Sequence, residues 1–204
     1  VKQENSSMRL IIASKNVHKI REFRSMLKLF PKLDLLSLID FPFYTPQEEI
    51  GTSFIENSTT KAMRAATQLN AWVIADDSGL VVPALNGEPG VFSHRYAGDN
   101  ATDKQNRKKL LNSMQHLQDP LRHAYFECVI SLASPEGLKK TTIGKVEGVI
   151  LEKEKGSLGF GYDSIFMKHE YGKTFAQLEE TTKNKISHRR KALDKLFPIL
   201  ESLI

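Results

Sequence analysis

The sequence predicts a mixed α/β fold with an antiparallel component. Three observations carry this: apolar runs alternate with helical stripes through the first half, two strand-like runs then follow one another across a turn, and the chain closes on a helical stripe. The chain has 204 residues, 40% of them hydrophobic, enough to bury a substantial core as one domain or two lobes.

The elements are read in chain order. Residues 1–7, VKQENSS, are polar and are expected to form a disordered leader, with one domain over 8–204. MRLIIAS, from Met8, reads as a short buried strand, and Val17, Ile20, Phe23, Leu27 and Phe30 follow at spacings of three and four. SFIENSTTKAMRAATQLN sets Ile55, Ala62, Ala65, Ala66 and Leu69 on one helical stripe and leads into the strand AWVIAD. That strand is expected to end at Asp76 and Asp77, where Ser78 and Gly79 supply a turn. A helix near 103–117 is expected to bury Leu110, Leu111, Met114 and Leu117. AYFECVISLAS and KKTTIGKVEGVILEK form a hairpin about Pro135, Glu136 and Gly137. The glycine-rich loop KGSLGFGYDS precedes a last helix from Ile186 to Leu196.

Composition narrows the class of protein. No stretch approaches the roughly 20 apolar residues that span a bilayer, and the N-terminus lacks the apolar core of a signal peptide, so a soluble chain with no membrane partner is expected. The single cysteine, Cys128, excludes an intramolecular disulfide and reads as a buried strand thiol, which fits a cytoplasmic location. A net charge of +5 and a pI near 9.2 suggest polyanionic partners. The basic residues gather in DKQNRKKL and KNKISHRRKALDK, the first of which reads equally as a solvated helix face.

The adjacent carboxylates of Asp76 and Asp77 are the first chemical signal. Two like charges at the rim of a core are costly unless a cation, water or turn backbone meets them. Glu56, Asn57 and Lys61 fall near the start of the second helix, with Asn57 and Lys61 on one face at i, i+4. Glu56 with Asp76 and Asp77 would form a hard oxygen cluster suited to Mg²⁺; equally, Asp77 reads as a cap of the turn and Glu56 as a solvated residue. Ser14, Asn16 and Lys19 open the first helix, where free N–H groups favour an anion. Asn16 alone reads as an N-cap, and Lys19 with Glu22 as a surface ion pair. No Walker A sequence is present. In GFGYDSIF, Phe160 and Tyr162 offer faces for a base and Asp163 an acceptor, while Lys183, Ser187, His188 and Arg189 are donors for phosphate or a base carbonyl.

These motifs occur together and in order: SxNxxKxxE, TSFxEN(x)4K, ADDSGL, PGVFSxRYAG, GFGYD and KNxxSHR. The chain from Met8 onward thereby resembles the inosine triphosphate pyrophosphatase family, which acts on non-standard purine nucleoside triphosphates. The resemblance implies a two-lobed α/β fold around an elongated mixed sheet, a deep central substrate cleft and a homodimer. It also implies Mg²⁺-dependent hydrolysis of ITP, dITP or XTP to the nucleoside monophosphate and pyrophosphate, cleansing the nucleotide pool. Ser14, Lys15, Asn16, Val17, His18 and Lys19 would then hold the triphosphate, with Lys19 as the main charge and Asn57 and Lys61 beside it. Glu56 and Asp77 match the metal ligands, Asp77 also the proton acceptor, and Asp76 supports them. Ser78 matches a substrate contact, Phe160 would stack on the purine, Gly161, Tyr162 and Asp163 shape the base pocket, and Lys183, His188 and Arg189 close around base and phosphates.

Several positions depart from the usual pattern. Lys15 stands for a common glycine, Ser58 for alanine, Ser164 for proline and His94 for a small residue, while Thr181 and Thr182 stand where two acidic residues are usual, with Glu179 and Glu180 displaced upstream. None removes a proposed catalytic group. The alternatives are a pyrophosphatase for pyrimidine or other modified nucleotides, and a non-catalytic nucleotide- or RNA-binding protein. Acidic residues gain nothing in a pure polyanion site, so sequence-specific nucleic acid is not an expected partner.

Overall fold

The computed structural model describes residues 7–47 and 50–204. Of the expected leader, residues 1–6 lie outside the described residues, and Ser7 is exposed. The strands are β1 (Met8–Ile12), β2 (Leu33–Ser37), β3 (Trp72–Val81), β4 (His123–Ser134), β5 (Gly137–Ile150), β6 (Phe166–Lys168) and β7 (Lys173–Thr174). The helices are α1 (Val17–Leu27), α2 (Phe54–Leu69), α3 (Asp103–Ser113), α4 (Glu180–Ile186), α5 (His188–Asp194) and α6 (Phe197–Leu203). The strands form one mixed sheet in the order β2-β1-β3-β4-β5-β6-β7. β1 pairs in parallel with β2 and β3, and β6 pairs antiparallel with β5 and β7.

Two compact units divide the chain. The first comprises the residues up to Asp77 with Val129–Ile143 and Arg190–Ile204, and the second comprises Ser78–Cys128 and Gly144–Arg189. The first unit's core joins Ile11 and Ala13 to Val73, Ala75, Ala133 and the alanines of α2. Ala62, Ala65 and Ala66 are fully buried, and side chains this small let α2 approach the sheet closely. Ser53 caps the start of α2, and Asn70 ends it in the left-handed conformation, returning its N–H to the Ala66 carbonyl. The second unit's core gathers Leu80, Val82, Leu110, Met114, Phe126, Ile150, Phe166 and Phe175. A Thr102–Gln105 capping box opens α3. Its C-terminal end is satisfied by the buried Arg122, which donates to the carbonyls of Met114, Leu117, Ile150 and Leu151.

Several sequence expectations need correction. β3 runs through the acidic pair to Val81, so Ser78 and Gly79 are strand residues and Asp77 caps no turn. The buried face of α2 is Phe54, Ser58, Ala62, Ala65 and Ala66, and Ile55, one residue out of that period, is half exposed. Val17 is likewise exposed. The α3 helix ends at Ser113, with Leu111 and Leu117 only partly buried. The expected helix from Ile186 to Leu196 is α5, His188–Asp194: Ser187 holds extended backbone (φ −68°, ψ 159°) between α4 and α5, and α6 follows with Pro198 in its first turn, where its missing N–H costs nothing. The Pro135-Glu136 connection stands between β4 and β5, and Cys128 is fully buried in β4.

Candidate active site

In the first unit, the two buried carboxylates are met by two lysines and an amide. The Lys19 ammonium lies 3.1 Å from an Asp76 carboxylate oxygen. Lys61, two turns into α2, donates to the Asp76 backbone carbonyl at 2.6 Å and stands 3.9 Å from the Asp77 carboxylate. The Asn57 amide nitrogen donates to the other Asp77 oxygen at 2.9 Å, while its own oxygen accepts the Gly51 N–H at 2.8 Å. Position 51 has to be glycine for this: an added Cβ would sit 2.3 Å from the Asn57 oxygen and 3.1 Å from the Glu56 carboxyl carbon. Local sequence dictates the lysine and amide positions, because residues 57 and 61 share the face of α2 that follows the Ser53 cap.

The other residues of this unit have more local partners. Asn16 is a true N-cap whose side chain accepts from the backbone N–H groups of His18 and Lys19, and Ser14 accepts from the Asn16 N–H. Lys15 reaches the Tyr44 carbonyl at 3.5 Å. Glu22 is buried, so Lys19 makes no surface pair with it and turns to Asp76 instead. Glu56 is exposed and accepts from the Thr52 backbone N–H at 2.8 Å. Among the described residues, no group of three or more His, Cys, Asp or Glu side chains is arranged to hold a metal ion. A cavity of about 170 Å³ adjoins Glu56, Asn57 and Lys61, walled also by Tyr44, Gln47 and Arg64.

In the second unit, the loop Phe160–Asp163 is tied internally and to α4. The Asp163 carboxylate accepts the Phe160 N–H at 3.0 Å and pairs with Lys183 at 2.6 Å, both side chains being almost fully buried. Lys183 also lies 4.8 Å from the centre of the Phe160 ring. Gly159, at φ +77°, makes the turn possible, since a Cβ there would lie 2.1 Å from an Asp163 carboxylate oxygen. Tyr162 donates to the Ser93 carbonyl at 2.9 Å, and burial pushes its phenol far up, so it stays a neutral donor. Arg189, 1% exposed, donates to the Ser78 hydroxyl at 2.9 Å. The His188 ring stacks on Phe126 at 4.8 Å.

Sequence reasoning overlooked Asp103 and Arg107, which grip the backbone of Gly161 from α3. The signal was their i, i+4 spacing inside the basic run, which reads equally as a solvated helix face and as a polyanion-binding cluster. Two departures from the family pattern have local causes. Ser58 is buried within 3.1 Å of the Ala75 carbonyl and 2.9 Å of the Ser131 hydroxyl, and Ser164 donates to Glu154 at 3.0 Å. Nothing in the structure explains Thr181 and Thr182.

Comparisons with known proteins follow the same pattern. The model of the Ham1 family matches residues 10–199. The dITP/XTP pyrophosphatase of Protochlamydia amoebophila is 53% identical over 197 residues, covering 96% of this chain and 99% of that one. That of Chlamydia abortus is 52% identical, covering 97% and 96%. Among solved structures, the Ham1 protein of Staphylococcus aureus matches with a TM-score of 0.84 and 44% identity over 96% of this chain and 100% of its own. A HAM1 protein from Coxiella burnetii matches with a TM-score of 0.86 and 38% identity, covering 96% and 99%. With motifs, fold and near-complete coverage in agreement, the chain belongs to the Ham1 family.

Proposed function

We propose that this protein hydrolyses ITP, dITP and XTP to the nucleoside monophosphate and pyrophosphate. The observation that carries the reading is the buried Asp76–Asp77 pair met by Lys19, Lys61 and Asn57, in a chain whose relatives are named for dITP and XTP. A triphosphate resists attack by water until its charge is neutralised, and a carboxylate beside lysines is the arrangement that chemistry calls for.

Glu56 and Asp77 fit Mg²⁺ as a donor set. Both offer hard carboxylate oxygens, and Mg²⁺ takes one or two carboxylates and completes its shell with water and phosphate. When bound there, Mg²⁺ supplies charge neutralisation and a more acidic water. Asn57 restrains the Asp77 carboxylate through one oxygen, so the side chain is held for a water rather than free to rotate. Asp77 would orient the attacking water and take its proton as the oxygen bonds to the α-phosphorus. The α–β bridging bond breaks and the electron pair leaves with pyrophosphate. Lys61 holds charge at the same carboxylate, and Lys19 neutralises Asp76.

The base is chosen by donors. Hypoxanthine and xanthine present a 6-oxo acceptor to His188 or Arg189, whereas adenine presents an amino group and leaves a buried donor unpaired. That costs about 1 to 3 kcal/mol, roughly tenfold to a hundredfold. Phe160 supplies the stacking face. A cytoplasmic location, where such a nucleotide pool lies, and the homodimer that the resemblance implies belong to the same proposal. No helix among the described residues is long and apolar enough to cross a membrane.

The test is product identity. Phosphorus NMR of an ITP reaction should show pyrophosphate and a monophosphate in equal amounts, and chelation of Mg²⁺ should stop it. Orthophosphate and a diphosphate as products would contradict the reading.

A further inference from the structure

Gly161 is held at both its backbone N–H and its carbonyl by side chains one turn apart on α3. Its N–H donates to the Asp103 carboxylate at 2.7 Å, and its carbonyl accepts from Arg107 at 2.7 Å. The other arm of Arg107 lies 3.1 Å from Glu154, which in turn accepts from Ser164. Glu154 and Ser164 flank the loop that carries Gly156, Gly159 and Gly161. The α3 helix therefore grips this loop at its tip and at its base, and Phe160 precedes the gripped peptide by one residue.

Glycine-rich backbone loses more conformational freedom on ordering than any other, and a ligand that has to order it binds correspondingly more weakly. We propose that Asp103 and Arg107 are positioning residues: they hold the loop in advance so that the Phe160 face is ready for a purine ring. The inference rests on the functional reading above in taking Phe160 as the base platform. It adds two residues that act through the loop, and it gives Arg107, within the basic run of α3, a job other than solvation or polyanion binding.

The two halves of the reaction's product pair separate this role from a merely structural one. Inosine monophosphate carries the base and pyrophosphate does not. Calorimetry on the full chain should show inosine monophosphate binding about tenfold weaker in Arg107→Met and in Asp103→Ala, with pyrophosphate affinity within about twofold of wild type. Asp103→Asn keeps an oxygen that accepts the Gly161 N–H and should bind like wild type. The double variant should lose less than the product of the single losses, because either release frees the same loop tip. If Arg107→Met does not fold, Asp103→Ala carries the test alone. Unchanged inosine monophosphate affinity in folded variants, or equal losses for both ligands, overturns the positioning role while leaving ITP hydrolysis by wild type intact. A wild-type protein that releases no pyrophosphate from ITP and binds no inosine monophosphate overturns both.

Discussion

The Asn57 amide spans two partners, accepting the Gly51 N–H at 2.8 Å and donating to Asp77 at 2.9 Å, so a glycine six residues upstream sets the orientation of the carboxylate assigned the proton. Asp77→Asn preserves an oxygen acceptor for Asn57 and should leave the melting temperature nearly unchanged. Turnover of ITP should fall by at least about a hundredfold, the low end of a general-base contribution. Near-normal kcat in the folded variant would remove Asp77 from the mechanism.

Lys19 and Asp76 form a mostly buried pair, with 17% and 2% of their side chains exposed. Breaking such a pair from one side leaves a charge without its partner and costs about 3 to 5 kcal/mol. Lys19→Met should therefore lower stability in urea melts as well as activity. Adding Asp76→Asn should restore most of the stability and none of the activity. An unchanged urea midpoint for Lys19→Met would show that the pair contributes little.

Arg122 offers a stability prediction independent of the site. Its guanidinium serves four backbone carbonyls, and its removal leaves some of them buried and unsatisfied at about 1 to 3 kcal/mol each. Arg122→Leu should shift the denaturation midpoint strongly downward while the KM for ITP in the surviving folded fraction stays within about twofold. A shift in KM as large as that seen for site variants would contradict a purely structural role.

Glu154 links acidity to the loop. Burial acts to raise its carboxyl, but hydrogen bonds from Arg107 and Ser164 and the charges of Arg107 and Lys104 outweigh it, holding the group below its ordinary value of 4.5. A depressed carboxylate stabilises the fold fully above its unfolded value, and that contribution is lost as pH falls through the lower folded value. Carboxyl carbon NMR should find Glu154 titrating below 4.5 in wild type and moving upward in Arg107→Met. No movement would separate Glu154 from Arg107.

What the sequence conveyed and what it withheld divide along physical lines. Helical spacing and capping chemistry are local, so the presence of α1 and α2 was legible from apolar periodicity, and the start of α1 also from Asn16. The run of β3 through Asp76 and Asp77 was not, because two charges at a strand's centre are tolerable only with Lys19 and Lys61 in place, and those arrive from elsewhere in the chain. The break at Ser187, between α4 and α5, was not legible, because neither glycine nor proline marks it. Ordered motifs identified the family, yet the engagement of Asp163 with Phe160 N–H and Lys183, and that of Arg107 with Gly161, depends on a folded loop that no spacing rule describes.

The measurement that bears most directly on the proposed activity is kcat/KM for ITP, XTP, dITP, GTP and ATP with Mg²⁺, read as pyrophosphate release. If His188 or Arg189 recognises the 6-oxo group, ITP and XTP should exceed ATP by at least about tenfold, and removal of the responsible donor should narrow that ratio by a similar factor. Equal efficiency on ATP and ITP, or equal losses on both in His188→Ala and Arg189→Ala, would contradict it.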